Sequence, residues 1–592
     1  MLQVESKRNT KSEKLKQQFC KALIEVAEQF PESPSRRDIE AITLSVPHIA
    51  EIATTLVSSI RDTVLPFPFA FLGRFYVSQG AYAKAEPWYE QCLETVRERF
   101  GNLHPDVATS LNNLAGIYED QGRYAEAEII FHQSLEIYRE LFGINHIDTA
   151  TTLNNLARLY FNQGRYSDAE FLLNQVLITY KDLLCEEHLY VADSFNNLAG
   201  LYYSQGRYDE AESLYRKALS MRQKLLGEEH LYVADSFNNL AGLYYSQGRY
   251  DEAKLLYEKA LSVRQKLLGS EHPDVATSLN NLAELHEELG ELKDAEPLLW
   301  QASIMRQKLL GEEHPDVADS FNNLAGLYYS QGRYDKAEPL YEKALSMRQK
   351  LLGSEHPDVA TSLNNLAVLH DRQGCYDKAE PLYKRALSMR QKLLGSEHPD
   401  VADSFNNIGV LCYSQGRYSE AESFYEQALT VYQSILGNKH HSVAASLSNL
   451  AMLYEDQKRY DEAESMYKRV LAMTQDLLGD EHPDVATSLN NLAGLYYSQG
   501  RYCEAELLYQ KVLVLRQKIL GGEHPDVATS LNNLAGIYYA RRCYQKAKSL
   551  YERSLEIYQK TIGEQHPDTQ MVNSNLEAIK VIFKVDQNMG CE

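Results

Sequence analysis

"HPDVATSLNNLAGIYEDQGRYAEAEIIFHQSLEIYRELFG", His104 to Gly143, decides the fold of this chain. Pro105 suits the first turn of a helix, where its missing N–H costs nothing. Asp106 favours the positive N-terminal end of that helix. Leu111, Leu114, Ala115 and Tyr118 follow at i, i+3, i+4 and i+7, the stripe of an amphipathic helix. Gly122 ends it. A second helix is predicted from about Tyr124, with Ala127, Phe131, Leu135 and Tyr138 on one face. Elsewhere its counterpart ends in "RQKLLG", as at Arg222 to Gly227, with cations in the last turns and then a glycine cap.

The stretch recurs. Close variants of its opening begin at His146, His188, His230, His272, His314, His356, His398, His440, His482, His524 and His566, always 42 residues apart. One step back from His104 reaches Asp62, after which the second half of the pattern is kept. We therefore expect twelve units over residues 62–565 and a half-unit cap with a tail over 566–592, the tail "VIFKVDQNMGCE" being a short cap and frayed residues. Residues 188–229 and 230–271 differ at only five positions, as at Glu212 and Lys254, which points to a recent duplication. Residues 1–61 lack the period and read as two or three helices. One carries "EKLKQQFCKALIEVAEQF" up to Pro31 and Pro34. The next begins at Ser35 with Asp38 three residues on, a start like a capping box.

The order L-A-x-x-Y, then G-x-Y-x-x-A, then an aromatic and a small residue resembles the tetratricopeptide repeat (TPR). The 42-residue form is similar to the repeats of kinesin light chains, and the lead-in resembles that of bacterial, chiefly cyanobacterial, light-chain-like proteins. The resemblance implies an all-α, right-handed superhelix of antiparallel helix pairs with a short helical N-terminal region. It implies a cytoplasmic, non-catalytic scaffold or adaptor that binds peptide or protein segments on its concave face. In the kinesin light chain form this is a cargo adaptor associated with the cytoskeleton, with a kinesin heavy chain as partner. Those light chains also carry a long heptad region. Here Leu15, Phe19, Ala22 and Val26 keep heptad spacing for only about two heptads, against the three or four of a sustained coiled coil. An alternative function is a regulatory sensor arm for a signalling NTPase or other effector. The chain itself shows no GxxxxGK[ST].

The net charge of −22 argues against nucleic acid and against anionic membranes as partners. No apolar run is long enough to span a bilayer, and the charged start lacks the apolar core of a secretory signal. The eight cysteines form no CxxC pair and read as reduced thiols. Twelve of the 17 histidines stand at repeat starts, spread one per unit, so we read them as structural. His48, His132, His286, His370 and His441 make no ligand spacing. No catalytic cluster, metal site or cofactor motif is expected.

On a helical wheel Leu111, Leu114, Ala115 and Tyr118 face the core. Glu119, Asn112, Gly116, Thr109, Asp120 and Asn113 share a polar arc directed to the concave face. Asparagine offers donor and acceptor together, so a row of them can hold the backbone of an extended peptide. In peptide-binding TPRs an asparagine resembles such a clamp at the place of Asn113. The candidate peptide-binding residues are thus Asn113, Asn155, Asn197, Asn239, Asn281, Asn323, Asn365, Asn407, Asn449, Asn491 and Asn533. The competing reading is that these residues bond neighbouring helices and fix the stacking. Gly116 recurs as Gly200, Gly242, Gly326, Gly494 and Gly536, and either a ligand or a packed helix accounts for it. Aspartates at 193, 235, 319 and 403 replace Thr109, and acids such as Glu287, Glu288, Glu455 and Asp456 join them. The arc is acidic to neutral, so basic or uncharged segments are the expected partners.

Overall fold

A computed structural model describes residues 2–30 and 36–589, with side chains over 13–30 and 38–582. Three helices, Leu2–Ala27, Arg36–Thr43 and Val46–Thr54, precede the repeats. The Pro31/Pro34 linker and the Ser35 cap lie outside the described residues. Phe67–Val77 then packs on Tyr82–Phe100, and eleven more helix pairs follow, from Pro105–Asp120 with Tyr124–Phe142 to Pro525–Ala540 with Tyr544–Thr561. The first helix of each pair is here called A and the second B. The last helix, Pro567–Met589, runs further than the short cap expected from the tail. No strand occurs among the described residues. The chain is an α-solenoid.

Each unit is held by the stripes legible in its sequence. In the second unit Val107, Leu111 and Ala115 of helix A and Ala127, Phe131 and Leu135 of helix B are fully or nearly fully buried. Alanines at the crossing let the helices approach closely, and the large residues fill the space on either side. Ile117 is buried as well. Gly122 makes the A–B turn at φ +71° and Gly143 closes helix B at φ +84°, both in the left-handed region that glycine enters without cost. Each repeat histidine caps its own helix A. His104 Nδ1 accepts the Asp106 N–H, and the same bond recurs at all twelve repeat starts through His566.

Successive A helices approach one another more closely than successive B helices do, so the stack curves with the A helices inside. The curvature brings the coil back onto itself. His356 Nε2 donates to the carbonyl of Asp120 at 3.0 Å, across 236 residues. His398 reaches Asn162, His482 reaches Ser246 and His524 reaches Glu288 across the same separation. His314 and His440 bond the backbone of Ser78 and Ser204 in the same way. The A–B turn of one superhelical turn thus seats the histidine start of a unit in the next, and the concave wall continues from turn to turn.

Candidate functional site

The asparagines form a ladder along the concave wall. Asn197 Nδ2 donates to Asn154 Oδ1 in the preceding unit at 3.0 Å. The same step joins Asn239 to Asn196, Asn281 to Asn238, Asn365 to Asn322, Asn407 to Asn364 and Asn533 to Asn490. Each rung links the second asparagine of one unit to the first of the unit before. The stacking role weighed from sequence is therefore real. It uses one N–H of each second asparagine. Asn197 Oδ1 bonds nothing among the described residues, and Asn113, Asn197 and Asn323 are exposed. The ladder fixes the amide orientation and leaves acceptors on the wall, a preorganised row. Rungs are missing at Asn155, Asn323, Asn449 and Asn491. Asn112 instead donates to Thr152 and Asn406 to Ser446, while Asn491 faces Ser448 in place of an asparagine.

Two sequence readings of the arc need correction. Glu119 does not face the concave opening. It is buried and binds Arg158 through two bonds and Asn162 through a third. Aspartates 193, 235 and 319 are not free acids either. Arg222, read as a cation serving the helix end, is turned inward and buried. It donates to Asp193 at 2.6 Å and to Ser236 Oγ of the following unit at 2.7 Å. Arg264 and Arg348 do the same with Asp235/Ser278 and Asp319/Ser362, while Asp403 takes the hydroxyl of Tyr432. A signal existed. Each of these aspartates is followed 29 residues later by Arg or Tyr, one side-chain pair per unit. Arg264→Ala is expected to destabilise the chain by about 2–3 kcal/mol, less than for a fully buried pair because Asp235 is half-exposed. Urea denaturation followed by circular dichroism measures it. Combining the change with Asp235→Ala should recover part of the loss.

The glycines of the wall are explained by space rather than by packing. A Cβ added at Gly200, Gly242, Gly326, Gly494 or Gly536 would meet only a tyrosine hydroxyl at ordinary contact distance, and one at Gly116 would meet nothing. No helix demands these glycines, which cost ~1 kcal/mol each against alanine inside a helix. They keep the floor open. Cavities of about 540 Å³ and about 420 Å³ open there, one lined by Asn280, Asn281, Asn322 and Asn323 and the other by Asn532, Asn533 and Gly536. Both lie within the usual size range of ligand pockets.

At the A–B turn, Arg249 stacks on Tyr244, pairs with Glu252 at 2.7 Å and reaches Glu212 of the preceding unit at 2.9 Å. Glu212 thereby clasps its own unit to the next. In the unit starting at His272 this clasp changes sign. His286 stands for the tyrosine, Glu291 for the arginine and Lys254 for the glutamate. His286 Nδ1 and Glu291 Oε2 lie 2.6 Å apart, and Asp294 completes three ligand-type groups within 4.8 Å, a grouping the linear spacing did not reveal. Leu15, Phe19 and Val26 of the first helix face solvent.

Tetratricopeptide repeat signatures match overlapping windows of the chain, among them residues 69–131, 106–182, 190–266, 274–350, 358–434, 442–518 and 526–578, with a second signature at 154–224. The chain belongs to the tetratricopeptide repeat family. Solved structures similar to this TPR protein include BtubC (BKLC) from P. vanneervenii, 32% identical over 39% of this chain and 91% of that one, with a TM-score of 0.32. Nearly identical TPR-like repeats from Podosopora anserina, named as a kinesin light chain, are 30% identical over 35% and 97%, with a TM-score of 0.30. A Rap protein complexed with Competence and Sporulation Factor is 15% identical over 62% and 98%, with a TM-score of 0.44. No curated protein matches. Among the described residues of the TPR protein, no helix is long and apolar enough to cross a membrane.

Proposed function

We propose that this TPR protein is a non-catalytic scaffold that holds extended peptide segments of partner proteins along its concave wall. The observation that carries the reading is the asparagine ladder, which orients a row of amides over an open glycine floor and leaves acceptors unused. An extended backbone presents N–H groups along its length, and amides at fixed spacing bind it without reading its side chains. More than ten units in series give room for several such segments, so avidity follows. The kinesin light chain resemblance of the repeats supports a cargo-adaptor form of this role, which co-purification of a motor heavy chain tests.

The direct test is a peptide array probed with the full chain and with a variant carrying Asn→Ala at Asn197, Asn239 and Asn281. At about 0.5–1.5 kcal/mol per hydrogen bond, losing three predicts a fall in affinity of roughly tenfold to a thousandfold. An unchanged binding profile, in a variant that keeps its helix content, would discard the ladder as the binding element.

A further inference from the structure

The unit that starts at His272 breaks the wall pattern at one spot. Where Gly242 and Gly326 keep the floor open in the units on either side, this unit has Glu284. Where those units have Tyr245 and Tyr329, it has Glu287. Asn280, Glu284 and Glu287 stand at i, i+4 and i+7 of the helix Pro273–Glu288, so they line one face of it. Like charges one helical turn apart repel one another, and neither carboxylate forms an ion pair with a lysine or arginine among the described residues. Glu287 accepts only the Ser330 hydroxyl, and Glu284 accepts nothing. Glu284 is open to the cavity, yet the surrounding wall desolvates it. That desolvation first, and Glu287 second, raise its carboxyl above the usual range.

The ladder fails at the same place. Asn280 is more than nine-tenths buried, and its Oδ1 has no hydrogen-bond donor. By the repeat it should receive the Nδ2 of Asn323, and that rung is absent. An orphaned buried acceptor costs free energy and marks a donor the protein does not supply. All three residues line the cavity of about 540 Å³, which Asp319 and Asp358 line as well. Two arginines share that cavity: Arg348 is paired with Asp319, whereas Arg306 has only neutral partners, and the Nε of each is unbonded. Arg306 is held by Thr277 and Ser320, and Arg348 by Asp319 and Ser362.

We propose that Asn280, Glu284 and Glu287 form a pocket for the cationic side chain of a lysine or arginine in a peptide held along the wall. An ammonium or guanidinium carries several N–H donors and no acceptor, which matches two carboxylates and one amide oxygen. Charge-assisted bonds in a partly desolvated pocket are stronger than neutral ones. The pocket would set the register of a segment that the ladder holds without regard to sequence. This inference rests on the peptide-binding reading above.

The test uses four fluorescent pools of random-sequence peptides, identical except for one fixed central residue: Lys, Arg, Gln or Glu. Binding to the full chain is read by anisotropy. The comparison protein carries Glu284→Gly with Glu287→Tyr, which restores the residues of the neighbouring units and therefore keeps the fold. The Lys or Arg pool is expected to bind the wild-type chain at least tenfold more tightly than the Gln pool, and the comparison protein should bind them alike. The better of the two pools names the side chain. Equal binding of Lys, Arg and Gln pools to the wild-type chain overturns the pocket while leaving general peptide binding intact. A preference that persists in the comparison protein overturns it too. No binding of any pool overturns both readings. Calcium binding by the wild-type chain, measured by titration calorimetry, with no discrimination among pools assigns the carboxylates to a metal ion and discards the proposal.

Discussion

Acidification from pH 7.5 to about pH 5 is expected to loosen the superhelix while leaving its helices intact. The seam between superhelical turns uses each histidine in one tautomer. Nδ1 accepts from the N–H two residues on, and Nε2 donates to a carbonyl 236 residues earlier. A second proton goes to Nδ1 and destroys the cap. Burial pushes the imidazoles of His314, His398, His482 and His524 below the usual range, against the neighbouring aspartates that act the other way. His440 has His441 beside it in place of an acid and falls to about 3 through burial and that neighbour. The folded pKa is therefore depressed, so the wound form binds fewer protons than the opened one. Its stability is fully present above about pH 6.5 and declines as pH falls toward the folded values. A tenfold change in proton affinity is worth about 1.4 kcal/mol, and several histidines act together. Carboxyls near the seam oppose the trend. Asp120 is raised to about 6 by burial and by Glu119, and Glu288 is raised by burial. Small-angle scattering should show a larger radius at pH 5 with unchanged circular dichroism. Replacing His314, His398, His440, His482 and His524 by asparagine, itself a good N-cap, should flatten the response. An equal expansion in that variant would remove the histidines from the explanation.

Gly122→Ala and Gly290→Ala should open the same seam at neutral pH, while Gly416→Ala and Gly500→Ala should not. All four glycines have positive φ, so each substitution costs about 1–2 kcal/mol in backbone strain. The pairs differ in what lies beyond. A Cβ at Gly122 would sit 2.6 Å from Pro357 Cδ, and one at Gly290 would sit 2.7 Å from Pro525 Cδ. At Gly416 and Gly500 it would meet nothing within 4 Å among the described residues. Nature has run half of this experiment. Gly80, Gly122, Gly164, Gly206, Gly248, Gly290 and Gly332 all lie under a following turn, and every one is glycine. Among the later units the same position holds Lys458 and Arg542, both at positive φ. Scattering and urea melts on the four variants separate the two costs. A seam contribution predicts expansion in the first pair only.

The helices, their caps and their stripes were legible in the sequence because each rests on residues within one unit. The Arg222–Asp193 pair was legible in principle, through an aspartate and an arginine at fixed spacing, but their types alone suggested an open acidic arc. Glu119 shows the same failure: its wheel angle pointed to the opening, and Arg158 and Asn162 of the next unit cover it. For the candidate site, the sequence found the asparagines and left two uses for them. The structure shows that each rung uses one N–H of a second asparagine and the Oδ1 of a first one, and that second-asparagine acceptors such as Asn197 Oδ1 take part in no rung.

The sequence by itself determined the period, the helix pairs and the chemistry of each turn. Those depend on local propensity and on burial between neighbours. Only the tertiary structure decided the pitch. Pitch is the sum of small rotations from unit to unit, and no single residue encodes it. That sum places His356 over Asp120 and gives the glycines beneath the stacked turns a second reason to be glycine. It also leaves Asn280 Oδ1 without a donor beside two unpaired carboxylates.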